Sequence, residues 1–75
     1  MNLQNCRKNQ DLIIISLDIL DLKLKTRLYE LGFIPNSKIR LLNNSFFKRT
    51  LLVQVLDSCF TIKANIAKLI EVEYD

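Results

Sequence analysis

Four neighbouring residues, Phe46, Phe47, Lys48 and Arg49, carry the side chains best suited to binding a ligand. Two aromatic rings beside two cations on one loop can stack on bases and hold a phosphate backbone. The same loop can contact the inner surface of a membrane. A third interpretation is purely structural, with one phenylalanine closing the end of the fold and the cations in water. The residues themselves leave these three interpretations open.

The residue types needed for a metal centre are scarce. The chain has no histidine, and its two cysteines, Cys6 and Cys59, are far apart in the sequence. Iron(II) favours imidazole and carboxylate ligands held in a defined geometry, and no tight cluster of carboxylates is visible. We therefore expect no metal ligands, and we expect Cys59 to be an ordinary strand residue.

The composition also argues against catalysis. No nucleophile has a histidine base, and a single glycine excludes the glycine-rich loop that cradles phosphates. The 75 residues make one small domain, residues 1–75, which leaves no room for a deep enzyme cleft. Eleven basic residues are mixed with eight acidic ones, so the net charge of +3 is not a clustered basic face. We expect a protein that is not an enzyme and holds no cofactor.

The cysteines and the apolar runs bear on where the protein acts. Two cysteines without a motif do not make a disulfide framework, so a reduced cytoplasmic protein is the main expectation and a single bridge in a secreted protein is the alternative. The first residues lack the apolar core of a signal peptide. The longest apolar run, Leu12–Ile15, is far short of the roughly 20 residues that cross a bilayer. We expect a soluble protein.

One helix dominates the middle of the chain. Its apolar residues recur at helical spacing: Leu20, Leu24, Leu28 and Leu31. This pattern predicts a helix at about Asp21–Leu31 whose leucine stripe packs into the core. Asp18 and Asp21 are both candidates for the N-cap, because either carboxylate can accept from the free amides of the first turn.

A sharp stop follows this helix. Gly32 can take the left-handed conformation that ends a helix, and Phe33 can fold back onto Leu28 in a Schellman motif. Pro35 then prevents the helix from continuing. The sequence therefore predicts a tight turn before the next strand.

Five short strands are predicted around the helix: Leu12–Leu17, Lys38–Leu42, Thr50–Leu56, Cys59–Lys63 and Leu69–Tyr74. Residues 43–49 are predicted to be a loop. Asp57 and Ser58 are a polar pair suited to connecting the third and fourth strands as a hairpin. No connection is long enough for the crossovers of a parallel sheet.

The predicted fold class is mainly β, a small antiparallel barrel of about five strands. One α-helix lies between strands one and two, and short helical turns lie near both ends, at residues 3–6 and 64–68. Closure into a barrel is the economical solution because it removes exposed sheet edges.

The central segment also resembles a known family. Residues 27–35 read RLYELGFIP, which resembles the R-L-x-E-L-G-hydrophobic-x-P-G segment of the ferrous iron transport protein A (FeoA) family. The chain departs from the family at Asn36, where the family has glycine, and at residues 46–49, which replace a loop that often reads L-G-D-P. The likeness extends over nearly the whole chain, and its ending is similar to the family pattern A-x-x-I-x-V-E at Ala67, Leu69, Ile70, Val72 and Glu73.

This resemblance implies an SH3-like barrel in the cytoplasm. It also implies an accessory role toward the large ferrous iron transporter, whose cytoplasmic portion carries a G-protein-like domain. The protein would reach the membrane only through that transporter, without nucleic acid as a partner. The alternative is a nucleic-acid-binding barrel that uses residues 46–49.

We expect the partner-binding residues on the outward side of the helix and on the turn after it: Leu22, Arg27, Tyr29, Glu30, Phe33, Pro35 and Asn36. Leu22 and Tyr29 lie roughly opposite the leucine stripe, so either can be an exposed contact unless a neighbouring loop covers it. Arg27 and Glu30 can pair across one helical turn. The family motif presents Arg27 beside the turn, so we expect it to be a surface contact.

Overall fold

The computed structural model describes residues 1–45 and 49–75. Its elements, in chain order, are β1 (Asp11–Leu17), α1 (Leu22–Leu31), β2 (Lys38–Ser45), β3 (Thr50–Val55), β4 (Ser58–Lys63), α2 (Ala64–Ala67) and β5 (Ile70–Tyr74). The five strands form one sheet in the order β4-β3-β2-β1-β5, with every neighbouring pair antiparallel. The predicted mainly β architecture, with its main helix between the first two strands, is confirmed.

β1 shows how the sequence alternation builds the core. Leu12 and Ile14 are buried two residues apart, as one face of a strand requires, but the next buried residue is Leu17. The pairing of β1 with β5 shifts register between Ile14 and Ser16, which indicates a β-bulge with Ile15 as the inserted residue. The bulge turns Ile15 outward, where it is partly exposed.

β2 is longer than predicted. Asn43, Asn44 and Ser45 were expected in a loop, yet they continue the strand and pair with Leu52, Leu51 and Thr50 of β3. The ladder with β3 therefore overrides the low strand propensity of asparagine.

The β3–β4 hairpin turns one residue earlier than predicted. Val55 pairs with Ser58, so the connecting residues are Leu56 and Asp57 rather than Asp57 and Ser58. Leu51, Val53 and Val55 are fully buried on one face, and this alternation fixes the register of the strand. Leu56 consequently takes a left-handed conformation, with φ of +55°.

The predicted leucine stripe of α1 is wrong at both ends. Leu28 is buried and Leu24 is half-buried, but Leu20 is 98% exposed and Leu31 is 37% exposed. Leu20 precedes the helix, so it does not share the helical periodicity, and Ile19 enters the core in its place. At the other end Phe33 folds back and is fully buried, which leaves Leu31 at the surface.

The N-terminal residues cover the outer edge of β5. The backbone N–H of Leu3 donates to the Ile70 carbonyl at 3.0 Å, and the Val72 N–H donates to the Met1 carbonyl at 2.8 Å. Leu3 itself is fully buried in the core. The N-terminal turn thus pairs one edge of the sheet and closes one end of the core.

Candidate interaction surface

The start of α1 is fixed by Asp21. Its carboxylate accepts hydrogen bonds from the backbone N–H groups of Lys23 at 3.0 Å and Leu24 at 3.3 Å. Asp21, and not Asp18, is therefore the N-cap. The backbone N–H of Asp18 instead donates to the Leu69 carbonyl, at 2.8 Å.

Two leucines flank this cap and lie in solvent. Leu20 is 98% exposed and Leu22 is 75% exposed, although both are large apolar side chains. They belong neither to the core nor to the half-buried residues that pack against it. Folding gains little from either side chain, so both are available for another contact.

The end of α1 is the predicted Schellman stop. The N–H of Gly32 donates to the Tyr29 carbonyl at 3.0 Å, and the N–H of Phe33 donates to the Leu28 carbonyl at 2.9 Å. Gly32 has a φ of +107°, and a Cβ atom there would lie 2.7 Å from Cγ1 of Val55. Glycine is therefore required both by the backbone conformation and by the close approach of β3.

The turn after α1 is held against β1. The N–H of Asn36 donates to the Ile14 carbonyl at 2.8 Å, and the N–H of Ile14 donates to the Ser37 carbonyl at 3.0 Å. Asn36 has a φ of +74°, which asparagine tolerates better than most residues, so it can replace the glycine of the family motif. Pro35 and Asn36 are exposed at this fixed turn.

The outward side of α1 carries a shallow groove. Its volume is about 440 Å³, and it is lined by Leu22, Lys23, Thr26, Arg27 and Glu30. Three of the predicted partner-binding residues, Leu22, Arg27 and Glu30, therefore converge on one face. Arg27 is not among the ion pairs of the described residues, so its guanidinium remains in solvent rather than bound to Glu30.

The other predicted residues lie apart from this groove. Tyr29 is 39% exposed, and its ring centroid is 5.9 Å from Nζ of Lys25 in a cation–π contact. Phe33 is fully buried, with its ring tilted against that of Phe60 at a centroid distance of 5.9 Å. Phe33 is thus a core residue and is not part of the outward surface.

One exposed residue near this surface was not predicted. Leu56, at the tip of the β3–β4 hairpin, is 71% exposed. Its Cδ1 atom would lie 3.1 Å from a Cβ on Gly32, so the hairpin tip lies against the end of α1. The sequence alternation could have indicated the exposure of Leu56. Leu51, Val53 and Val55 face inward, so the alternate residues of the strand face outward.

Two groups elsewhere have shifted pKa values. Burial raises the pKa of the Cys6 thiol, whose Sγ donates to the Leu3 carbonyl at 3.2 Å. The hydrogen bond and the positive charge of Arg40 lower the pKa of Asp11. Nε of Arg40 donates to Oδ1 of Asp11 at 3.1 Å, and the two residues are partners across β1 and β2. Cys6 and Cys59 are both free thiols, so the alternative of a single bridge between them is not realised.

The loop proposed for nucleic acid falls largely outside the described residues, since Phe46, Phe47 and Lys48 are not among them. Arg49 is exposed and lines a different cleft. Within residues 1–45 and 49–75, no three His, Cys, Asp or Glu side chains are grouped so that they could hold a metal ion. Over the same residues, no helix has the length and apolar character needed to cross a membrane.

A five-stranded antiparallel sheet with one capped helix is the architecture of a small SH3-like domain. The chain belongs to the FeoA family, because the FeoA domain model matches residues 1–74. Proteins of this family are accessory proteins of ferrous iron transport, and nothing in the family indicates an enzyme.

Individual relatives agree with this assignment. The chain is 33% identical over 72 residues to an Fe(2+) transport protein A of Campylobacter jejuni, covering 96% of both chains. FeoA of Stenotrophomonas maltophilia, solved in complex with zinc and described as an SH3 domain protein, matches with a TM-score of 0.81 and 26% identity, over 97% of this chain and 89% of that one. The predicted SH3-like class is therefore confirmed.

Two further solved structures agree in fold alone. Iron(II) transport protein A of Clostridium thermocellum matches with a TM-score of 0.88 and 23% identity, over 99% of this chain and 45% of that one. ScaR with bound zinc matches with a TM-score of 0.85 and 23% identity. All of this chain but only 37% of the ScaR chain is covered, so the same barrel occurs within a longer protein.

Proposed function

We propose that this protein is a cytoplasmic, non-enzymatic accessory protein of ferrous iron uptake that docks on the cytoplasmic G-protein-like domain of the ferrous iron transporter. The observation that carries the proposal is the exposure of Leu22, which is 75% exposed and lines one groove with Arg27 and Glu30. We call the contact region the α1 surface and define it by its four exposed side chains: Leu20, Leu22, Arg27 and Glu30.

The composition of the α1 surface fits a protein–protein contact. Leu20 and Leu22 supply an apolar centre at the start of the helix, while Arg27 and Glu30 supply charges of both signs one to two turns later. Interfaces combine an apolar centre with a polar rim in this way, and arginine is enriched among the residues that dominate binding. The capped and stopped helix α1 fixes the backbone positions of Leu22, Arg27 and Glu30 before the partner arrives, which lowers the entropic cost of docking.

Docking of this kind would regulate the transporter without any chemistry on the small barrel. The barrel would favour one conformation of the transporter domain by binding it more tightly than the other. Nucleotide hydrolysis and iron passage would remain functions of the partner. Tyr29, Pro35 and Asn36, together with the hairpin tip at Leu56, lie at the other end of α1 and would extend the contact if the partner reaches that far.

The test is a binding measurement with the isolated cytoplasmic domain and with the full-length transporter, in each nucleotide state. Leu22→Ala is expected to weaken binding about tenfold, because it removes an anchor side chain. Arg27→Glu is expected to weaken it at least as much, because it reverses the charge of an arginine at the contact. Tyr29→Ala should weaken binding as well if the contact extends along the helix.

Two control variants match these changes elsewhere on the surface. Leu52→Ala truncates a leucine of β3 that is 38% exposed, and Lys8→Glu reverses an exposed charge near the N-terminal turn. Both should bind like the wild type. The proposal fails if no binding is detected at high micromolar concentration in any nucleotide state with either partner, or if the control variants lose as much affinity as Leu22→Ala.

A further inference from the structure

A second concavity lies on a different part of the molecule. It is formed by the N-terminal turn, the paired ends of β2 and β3, the end of β4 and the helix α2, and its volume is about 790 Å³. We call it the polar cleft, and the residues that line it are Asn2, Gln4, Asn5, Asn44, Ser45, Arg49, Thr50, Lys63, Ala64, Asn65 and Lys68. It shares no residue with the α1 surface.

Among the described residues that line the polar cleft, every charged side chain is positive. Arg49 directly precedes β3, Lys63 ends β4 and Lys68 follows α2, and the described lining includes no aspartate or glutamate. Within the described part of the chain, ion pairs are made by other groups, namely Asp11 with Arg40, Lys38 with Asp75, and Glu71 with the N-terminal amine. The three cations of the cleft are therefore not neutralised by carboxylates, and a concave site of one sign concentrates the field on an anion.

Carboxamide side chains add hydrogen-bond donors. Oδ1 of Asn2 accepts the backbone N–H of Gln4 at 2.9 Å and that of Asn5 at 3.2 Å. Oδ1 of Asn5 accepts the backbone N–H of Asn2 at 3.0 Å. Because these two oxygens are already occupied, what each amide still offers is chiefly its NH₂ group, which can only donate. The cleft therefore presents donors as well as positive charge.

The backbone holds these side chains at fixed spacing. Thr50 pairs with Lys63 across β3 and β4, and the N–H of Ala64 donates to the Arg49 carbonyl at 2.8 Å. These bonds tie Arg49 to Lys63 and α2. A ligand would therefore meet a site that is largely formed before binding.

The size of the cleft limits the ligand. Its volume lies within the range of about 300 to 1,000 Å³ that is usual for small-molecule sites, which is large for a single phosphate ion. Three cations from separate positions along the chain suit more than one anionic group, and lysine and arginine are the usual ligands of phosphate. A flat membrane surface would not enter a concave site of this kind.

We propose that the polar cleft binds a small molecule carrying two or more phosphate groups, such as a nucleoside diphosphate or triphosphate. Arg49, Lys63 and Lys68 hold the phosphates, and the amides of Asn2, Asn5 and Asn65 donate to phosphate or hydroxyl oxygens. This site is separate from transporter docking, and its test uses different variants.

The experiment is a titration of the full chain with ATP, GTP and inorganic triphosphate, followed by calorimetry and by NMR of the side-chain NH₂ groups. Saturable binding that weakens with added salt is expected. The NH₂ signals of Asn2, Asn5 and Asn65 should shift, while those of Asn9 and Asn36, which lie outside the cleft, should not. AMP and inorganic phosphate should bind at least about tenfold more weakly than triphosphate.

The variants assign the binding to the cleft. Lys63→Ala with Lys68→Ala should weaken triphosphate binding at least about tenfold. Arg49→Asn removes the third charge and keeps a residue that tolerates the φ of +53° found there. The matched control is Lys8→Ala with Lys38→Ala, which lowers the net charge equally at exposed positions outside the cleft and should bind like the wild type.

Several results would overturn the proposal. One is the absence of saturable binding up to about 1 mM triphosphate. Another is a loss of triphosphate affinity in the Lys8→Ala, Lys38→Ala control as large as that in the cleft variants. A third is AMP binding as tightly as triphosphate. Binding only to anionic phospholipid vesicles, or only to single-stranded oligonucleotides, would also contradict a small phosphorylated ligand.

Discussion

At Leu20 and Leu22, a role in binding can be tested with little effect on folding. They flank the capping residue Asp21, and their exposures of 98% and 75% mean that the core does not use them. The cap keeps both side chains outside because it fixes where the helix begins. Substitutions at these two positions should therefore alter binding while leaving the free energy of unfolding within about 0.5 kcal/mol of the wild type.

The two thiols should differ in reactivity. Cys59 is exposed on β4, whereas Cys6 is half-buried, donates to the Leu3 carbonyl and has its pKa raised by burial. Because the thiolate is the reactive form, an alkylating reagent at pH 8 should modify Cys59 first and Cys6 only slowly. Mass spectrometry over time would measure both rates, and a Cys59→Ser variant should retain only the slow one. Equal rates in the folded protein would contradict this expectation.

The Asp11–Arg40 pair makes a prediction about pH. Arg40 lowers the pKa of Asp11 in the folded protein, so the unfolded chain binds a proton at Asp11 more readily than the folded one. The stability from this pair is therefore present above the ordinary carboxyl pKa of about 3.9 and is lost as the pH falls through the lower folded value.

Denaturation of the wild type and of Asp11→Asn at several pH values would measure this effect. The variant should be slightly less stable at pH 7, and the difference should vanish in acid. The difference should also shrink with added salt, because both side chains are partly exposed. A difference that persists unchanged below pH 3 would contradict this cause.

At the scale of elements, the boundaries of α1 are set by residues close to them in the chain. Asp21 caps the helix and Gly32 ends it, so the sequence predicted the helix to within one residue at its start and correctly at its end. β2 and the β3–β4 hairpin were predicted less well, because their limits depend on pairing between distant segments. The strand propensities of Asn43 and Asn44, and the polarity of Asp57 and Ser58, did not reveal the register that β3 imposes.

The helix stop makes a prediction about stability. Gly32→Ala should destabilise the fold by about 3 kcal/mol. A positive φ is strained for alanine, and its Cβ would lie 2.7 Å from Cγ1 of Val55. Asn36→Ala is the comparison, because Asn36 also has a positive φ but is exposed, and it should cost about 1 kcal/mol. Urea denaturation of both variants measures the two values. Equal losses would show that the close approach of β3 contributes nothing.

At the scale of the whole molecule, the α1 surface and the polar cleft differ in how their residues are brought together. The α1 surface comes from one local stretch, so Leu22, Arg27 and Glu30 could be assigned to it from helical periodicity and the family motif. The polar cleft joins the N-terminal turn to β2, β3, β4 and α2, and only the folded topology brings Asn2 near Lys63 and Lys68. Phe33 was assigned to the partner-binding surface as part of the turn after α1, but it is fully buried. The predicted fold-back onto Leu28 in the Schellman motif is what places it in the core.

The most direct test of transporter docking is an NMR footprint on the isotope-labelled chain. The unlabelled cytoplasmic domain of the ferrous iron transporter is added, and the backbone amide signals are followed residue by residue. We expect the signals of residues 20–30 to shift or broaden, with weaker effects at Asn36 and Leu56. The signals of Asn65 and Lys68, in the polar cleft, should not change. A footprint on the polar cleft that spares α1, or no footprint in any nucleotide state, would contradict docking through the α1 surface.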